Sequence, residues 1–248
     1  MKEPLSVGII GVGAIAPSHA EGIRHISGLK LVSAAGQDQE QCRAFSWQCG
    51  CQPYSDWRKM ITDGLDIAVV ALPHFLHLEA AVTALEAGCH VLLEKPAAVN
   101  LSQCRALSEA AHRSRRRVMM ADLAYHLPGI VMARQLVASG RMGRFIMGGI
   151  VNYRFYFAEE RPAWFLEKEQ AGGGLLLNLG VHRMAAIRSV LGGEECVVKA
   201  SVGFFRPGCE VEGRDDLPRL SGRIGHHTGG MRVSGASPTP DVRNASHL

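Results

Sequence analysis

No stretch of this 248-residue chain approaches the ~18 consecutive apolar residues of a membrane-spanning helix. The opening residues set an acid, Glu3, and Pro4 before a short apolar run that turns into glycines. That start lacks the longer apolar region and small-residue cleavage site of a signal peptide. The cysteines number seven, an odd count with no regular spacing, so no disulfide framework is written and reduced thiols are expected. Cys49-Gly50-Cys51 is too short for a zinc or redox signature, and His226-His227 has no companion ligands, so no metal is expected. Charge of one sign is scarce as well: 27 basic against 23 acidic residues leave +4, spread along the chain, which gives no reason to expect nucleic acid. The expectation is a soluble, cytoplasmic protein with no membrane partner.

What is present is core material, at 47% hydrophobic and 20% charged residues, enough for one large domain or two modest ones. Leu5–Ile10, Leu29–Ala35, Leu65–Leu72, His90–Leu93 and Val118–Ala121 read as buried strands, rich in Val, Ile and Leu between polar flanks. Ala14–Ile26, Gln39–Gln48, Leu76–Ala87 and Leu101–His112 carry apolar residues at helical spacing. Such alternation predicts an α/β fold, a doubly wound parallel sheet with helices on both faces. Beyond Asp122 the pattern changes. Val131–Ser139 reads as helix, Arg144–Phe157 and Cys196–Phe205 as strands, and Gly172-Gly173-Gly174 precedes a helix through Leu191. Long strands mixed with helices predict an α+β second domain.

The most informative short motif is Gly11-Val12-Gly13-Ala14-Ile15-Ala16, a G-x-G-x-x-A element between a strand and a helix. Gly11 permits a tight turn, Gly13 lets backbone approach a pyrophosphate, and Ala16 lets helix and strand pack closely. The helix start, with Ala14 and Ile15, turns free N–H groups and a positive dipole end toward the anion. The acid that should meet the ribose about 20 residues later is replaced, because the second strand ends in Gly36-Gln37-Asp38. Asp38 serves the ribose if the loop curls back, or caps the next helix. NAD and NADP both remain open as cofactor.

Further along, Pro73-His74-Phe75-Leu76-His77 follows the Leu65–Leu72 strand and Glu94-Lys95-Pro96 the His90–Leu93 strand, and the glycine run leads to Asn178, Gly180 and His182. With the N-terminal glycines, this ordered set resembles the Gfo/Idh/MocA family of NAD(P)-dependent oxidoreductases, from about Leu5 to Phe205. The resemblance implies a Rossmann domain, then an α/β domain with an open sheet, and hydride transfer between nicotinamide and a hydroxyl or carbonyl of a sugar, polyol or related small molecule. It implies catalytic roles for Lys95, Asn178 and His182, and a cofactor crevice shaped by Pro73, His74, His77 and Glu94. The residues support these roles on their own terms. A lysine before proline leaves the strand in extended geometry at the ligand-binding end of the sheet. There, an ammonium could exchange a proton with a substrate oxygen, and Glu94 could pair with it or with a ribose. Asn178 and His182 are four apart, which on a helix places them on one face. His182 could move the hydroxyl proton, while Asn178 stands where the family has aspartate and cannot hold an imidazolium by charge.

The expected organisation is an NAD(P)-binding Rossmann domain over 1–122, a partial α/β substrate and oligomerisation domain over 123–205, and an irregular or disordered tail over 206–248. That tail has seven glycines, four prolines and six arginines but neither lysine nor aromatic residue, too little apolar area to offset its ordering entropy. A change of reading frame near residues 206–215 would account for the jump in composition. A sugar- or polyol-like substrate is the expected partner, with homo-oligomers if the second domain is complete enough. A nucleotide-binding protein without turnover, or an inactive fragment, is the alternative.

Overall fold

Strand β1 (Leu5–Ile10) lies at the centre of a six-stranded sheet because its last four residues are buried, with nothing but Val, Gly and Ile to place there. The computed structural model describes residues 3–143, 147–155, 162–174, 176–191 and 228–236. The chain divides into two compact units, Met1–Ala121 with Glu169–Gly172, and Asp122–Lys168 with Gly173–Leu248.

In the first unit, β2 (Leu29–Ala35), β3 (Gln52–Tyr54), β4 (Ile67–Val70), β5 (His90–Glu94) and β6 (Val118–Ala121) join β1 in the order β3-β2-β1-β4-β5-β6. Every pairing is parallel. The crossovers are α1 (Ala16–Arg24), α2 (Gln39–Cys49), α3 (Trp57–Thr62), α4 (His77–Glu86) and α5 (Leu101–Ser114). Two cores form. Ile9, Val7, Ala34 and Val69 pack with Ala16 and Ile23 of α1 and with Cys42 and Phe45 of α2. Ile10, Val70, Val91 and Leu93 pack with α3, α4 and α5 through Met60, Ala80, Ala84, Leu107 and Ala110. Asp38, Asp56 and Asn100 accept backbone N–H bonds at the starts of α2, α3 and α5, which fixes where those helices begin.

Composition and periodicity did not indicate β3 and α3. β3 is three residues around Pro53 and α3 is six residues long, both too short to show a period. The strand expected over Leu65–Leu72 is confined to Ile67–Val70, and the helix expected from Leu76 starts at His77 after a 3-10 turn, His74–Leu76.

In the second unit, α6 (Pro128–Ala138) follows a 3-10 turn at Leu123–His126. β7 (Met147–Phe155) comes next, then α7 (Lys168–Ala171), whose last three residues belong to the first unit. A π-helical turn (Leu176–Gly180) leads into α8 (Val181–Leu191). β8 (Thr228–Ala236) corrects the expectation of an irregular tail at those residues. It pairs antiparallel with β7 from Met147↔Ala236 to Phe155↔Thr228. Backbone hydrogen bonds to a strand about 80 residues away, which composition does not register, hold it extended. α8 packs on α6 and against this strand pair, so the ribbon is backed by helix. The remaining tail residues, the expected strand Cys196–Phe205 and His226-His227 lie outside the described residues. Among the described residues, no helix is long and apolar enough to cross a membrane.

Candidate functional site

The order in which strands are added to the first sheet reverses between β1 and β4, and in such sheets ligands bind in the crevice outside the carboxyl ends of the strands there. At that point Gly11 has φ +100°, and its N–H donates to the Ala35 carbonyl at 2.8 Å. A Cβ on Gly11 would lie 2.3 Å from the Ala71 carbonyl oxygen. The first glycine is therefore demanded by the junction of three strand ends. Gly13 is different: a Cβ there would meet nothing within 4 Å. Gly13, Ala14 and Ile15 are exposed, while Ala16 is fully buried against the sheet. No side chain caps α1, whose start carries Pro17. Exposed backbone with open space over Gly13, at an uncapped helix start, fits the diphosphate of a dinucleotide.

The end of β2 holds no carboxylate. A Cβ on Gly36 would lie 2.5 Å from Val12 Cγ2, so packing under the glycine turn requires the small residue. Asp38 caps α2, its Oδ1 accepting the N–H groups of Glu40 and Gln41 at 2.9 and 3.0 Å. Of its two sequence readings, the cap is the one its contacts show.

The ends of β4 and β5 carry the next group. His77 is completely buried, with Nδ1 2.7 Å from the Pro96 carbonyl and Nε2 2.8 Å from the Leu72 carbonyl. It thereby ties the turn after β5 to the turn after β4, next to Pro73. His74 is also buried and donates from Nδ1 to the Ala171 carbonyl at 2.9 Å. Glu94, the last residue of β5, accepts from His19 Nε2 at 2.9 Å and from the Lys95 backbone N–H at 3.2 Å. Sequence alone pairs Glu94 with Lys95 or a ribose and does not mark His19, which lies one turn beyond the glycine motif on α1. Its spacing three residues after Ala16 was the available signal. Lys95 follows directly, joined to Pro96 by a cis peptide.

Burial is the main cause holding both crevice histidines below the ordinary imidazole value, and the Lys95 charge adds to it. His74 is lowered to about 4, against carbonyl and Glu94 contributions that raise it. A histidine depressed in the folded state binds fewer protons than the unfolded chain between the two values, so its stabilisation is intact above about 6.5 and is lost as pH falls toward about 4. Urea midpoints measured at neutral pH and at pH ~5 should show a loss of about 2 kcal/mol from this group. His74→Gln, which still donates to the Ala171 carbonyl, should lack that increment.

The second unit holds the other predicted residues. Asn178 is buried and sits in the π-helical turn, its N–H donating to the Gly174 carbonyl at 3.1 Å. His182 lies in the first turn of α8. The expected single α-helical stretch carrying both is thus corrected: the wider turn at Leu176–Gly180 separates them. His182 donates from Nδ1 to Asp122 Oδ1 at 2.7 Å, with the two side chains 22% and 10% exposed. Asp122 Oδ1 also accepts the Ala124 N–H at 2.9 Å. In the sequence Asp122 marks only the end of the sheet, since nothing local signals a partner 60 residues away. Cys49 and Cys51 are free thiols, as are Cys42, Cys89 and Cys104.

Comparison with known proteins agrees with the fold. Residues 5–122 match the oxidoreductase family with the NAD-binding Rossmann fold, and residues 130–218 match the GFO/IDH/MocA C-terminal domain. The chain is 31% identical over 197 residues to D-glucoside 3-dehydrogenase of Escherichia coli strain K12, covering 77% of this chain and 55% of that protein. It is 29% identical over 211 residues to 1,5-anhydro-D-fructose reductase of Ensifer adhaerens, covering 82% and 62%. The structure of levoglucosan dehydrogenase in complex with NADH and levoglucosan superposes with a TM-score of 0.70 at 25% identity, over 77% of this chain and 55% of that one. The chain thus spans a little over half the length of these relatives. With both of its characteristic domains matched in order along the sequence, the chain belongs to the Gfo/Idh/MocA oxidoreductase family.

Proposed function

We propose that this chain acts as an NAD(P)-dependent oxidoreductase, exchanging a hydride with a hydroxyl or carbonyl carbon of a sugar, polyol or related small molecule. The observation that carries the reading is the exposed Gly13–Ile15 turn at the uncapped start of α1, outside the carboxyl ends of β1 and β4. Relatives named as dehydrogenases or reductases of glucosides, anhydrofructose and levoglucosan support the substrate class.

In this reading the backbone N–H groups around Gly13, Ala14 and Ile15, with the dipole of α1, hold the diphosphate. A bound nicotinamide supplies the two-electron hydride donor or acceptor. Lys95, at the mouth of β5, hydrogen-bonds the substrate oxygen and stabilises negative charge as it develops there. His182 receives the hydroxyl proton on Nε2 during oxidation and returns it during reduction. His74, held neutral at pH 7, donates to the Ala171 carbonyl without placing more positive charge beside Lys95. The buried amide of Asn178 offers a substrate hydroxyl a hydrogen bond but no proton.

Calorimetric titration of the whole chain with NADH and separately with NADPH tests the reading. Saturable binding of at least one is expected, and the stronger of the two identifies the preference that Gly36 and Asp38 leave open. A chain that melts cooperatively yet binds neither would overturn it.

A further inference from the structure

Between Asp122 and His182 the structure holds a pair that the sequence motifs do not mark, and we infer that Asp122 is a positioning residue that fixes the ring of His182 with Nε2 as its free base. A carboxylate can only accept, so the 2.7 Å contact requires the hydrogen on Nδ1, and in the neutral ring that puts the lone pair on Nε2. Asp122 is itself held in place, because its Oδ1 also takes the Ala124 N–H at the head of the turn before α6. Side chains 10% and 22% exposed are largely shielded from water, so the charge on Asp122 acts on the ring with little screening. Asn178 cannot do this, since an amide has no charge to offer an imidazolium. The carboxylate that the resemblance places four residues before the histidine is supplied here from the end of β6 instead.

Its consequence for turnover rests on the oxidoreductase reading, while the tautomer does not. A long-range 1H–15N spectrum of the histidine-labelled full chain, taken where imidazoles are neutral, reads the tautomer directly, and His182→Gln identifies the resonances. The expected wild-type pattern is hydrogen on Nδ1 and a bare Nε2. Asp122→Ala should shift the ring toward hydrogen on Nε2. Asp122→Asn keeps an acceptor for Ala124 and removes the charge, so kcat should fall about a hundredfold with the KM for cofactor unchanged, and Asp122→Glu should recover part of it. Hydrogen on Nε2 in the wild type, or wild-type kcat in Asp122→Asn, would overturn the assignment. A wild-type chain that binds cofactor but turns over no sugar or polyol would instead remove the oxidoreductase reading, and the wild-type tautomer would still decide the role of Asp122.

Discussion

Lys95→Ala is expected to lower kcat by about a thousandfold while the dissociation constant for the dinucleotide changes little. The two effects separate because the residues that serve them separate along the chain. The turn proposed to hold the diphosphate is Gly11–Ala16, between β1 and α1, whereas Lys95 follows β5. At the carboxyl end of β5, the Lys95 charge adds to the burial that lowers the proton affinity of both His74 and His77. Removing a donor aimed at a developing oxyanion costs about 10²–10³ in kcat, and losing a proton-transfer group costs a comparable factor. Lys95→Arg keeps the charge and loses the compact, titratable head, so it should remain impaired. Steady-state kcat measured beside calorimetric cofactor affinity gives the answer. Near-normal turnover in Lys95→Ala would end the catalytic assignment.

The sequence was most legible where a segment is buried on both faces. Leu5–Ile10 and Leu29–Ala35 are strands with the expected bounds, because their buried carboxyl halves lie under two layers of helix with no polar face to confuse the pattern. It was least legible where structure comes from a distant partner. β8 is extended because β7 lies beside it, and its glycines and serine gave no sign of that. The same physics governs the site. The glycine turn and Glu94-Lys95 are contiguous and announce themselves, whereas His19–Glu94 and Asp122–His182 join residues 75 and 60 positions apart. Side-chain pairing over such distances leaves no local periodicity. Asn178 shows the complementary case: its type was readable, but the π-helical turn that carries it was not.

The two motif glycines should respond oppositely to the same substitution. Gly11→Ala would place a methyl 2.3 Å from the Ala71 carbonyl oxygen, a backbone atom at the end of β4 that cannot swing aside. It would also force a side chain onto φ +100°, a conformation that only glycine adopts readily. Overpacking of about 1–3 kcal/mol and backbone strain of about 1–3 kcal/mol together predict a loss of about 4 kcal/mol. That is a large share of the stability of an ordinary domain, about 5–15 kcal/mol. The urea midpoint should drop sharply, with binding lost because the sheet edge no longer forms. Gly13→Ala meets nothing within 4 Å, so its urea midpoint should stay within the error of wild type. Its methyl would instead occupy the space through which the diphosphate approaches the backbone, and cofactor affinity should fall at least tenfold. Denaturation and calorimetry on both variants separate the two roles of the motif: a junction of strand ends at Gly11, and a ligand surface at Gly13. Equal loss of stability in the two would show that Gly13 is structural as well, and unchanged affinity in a folded Gly13→Ala would remove the turn from the cofactor site.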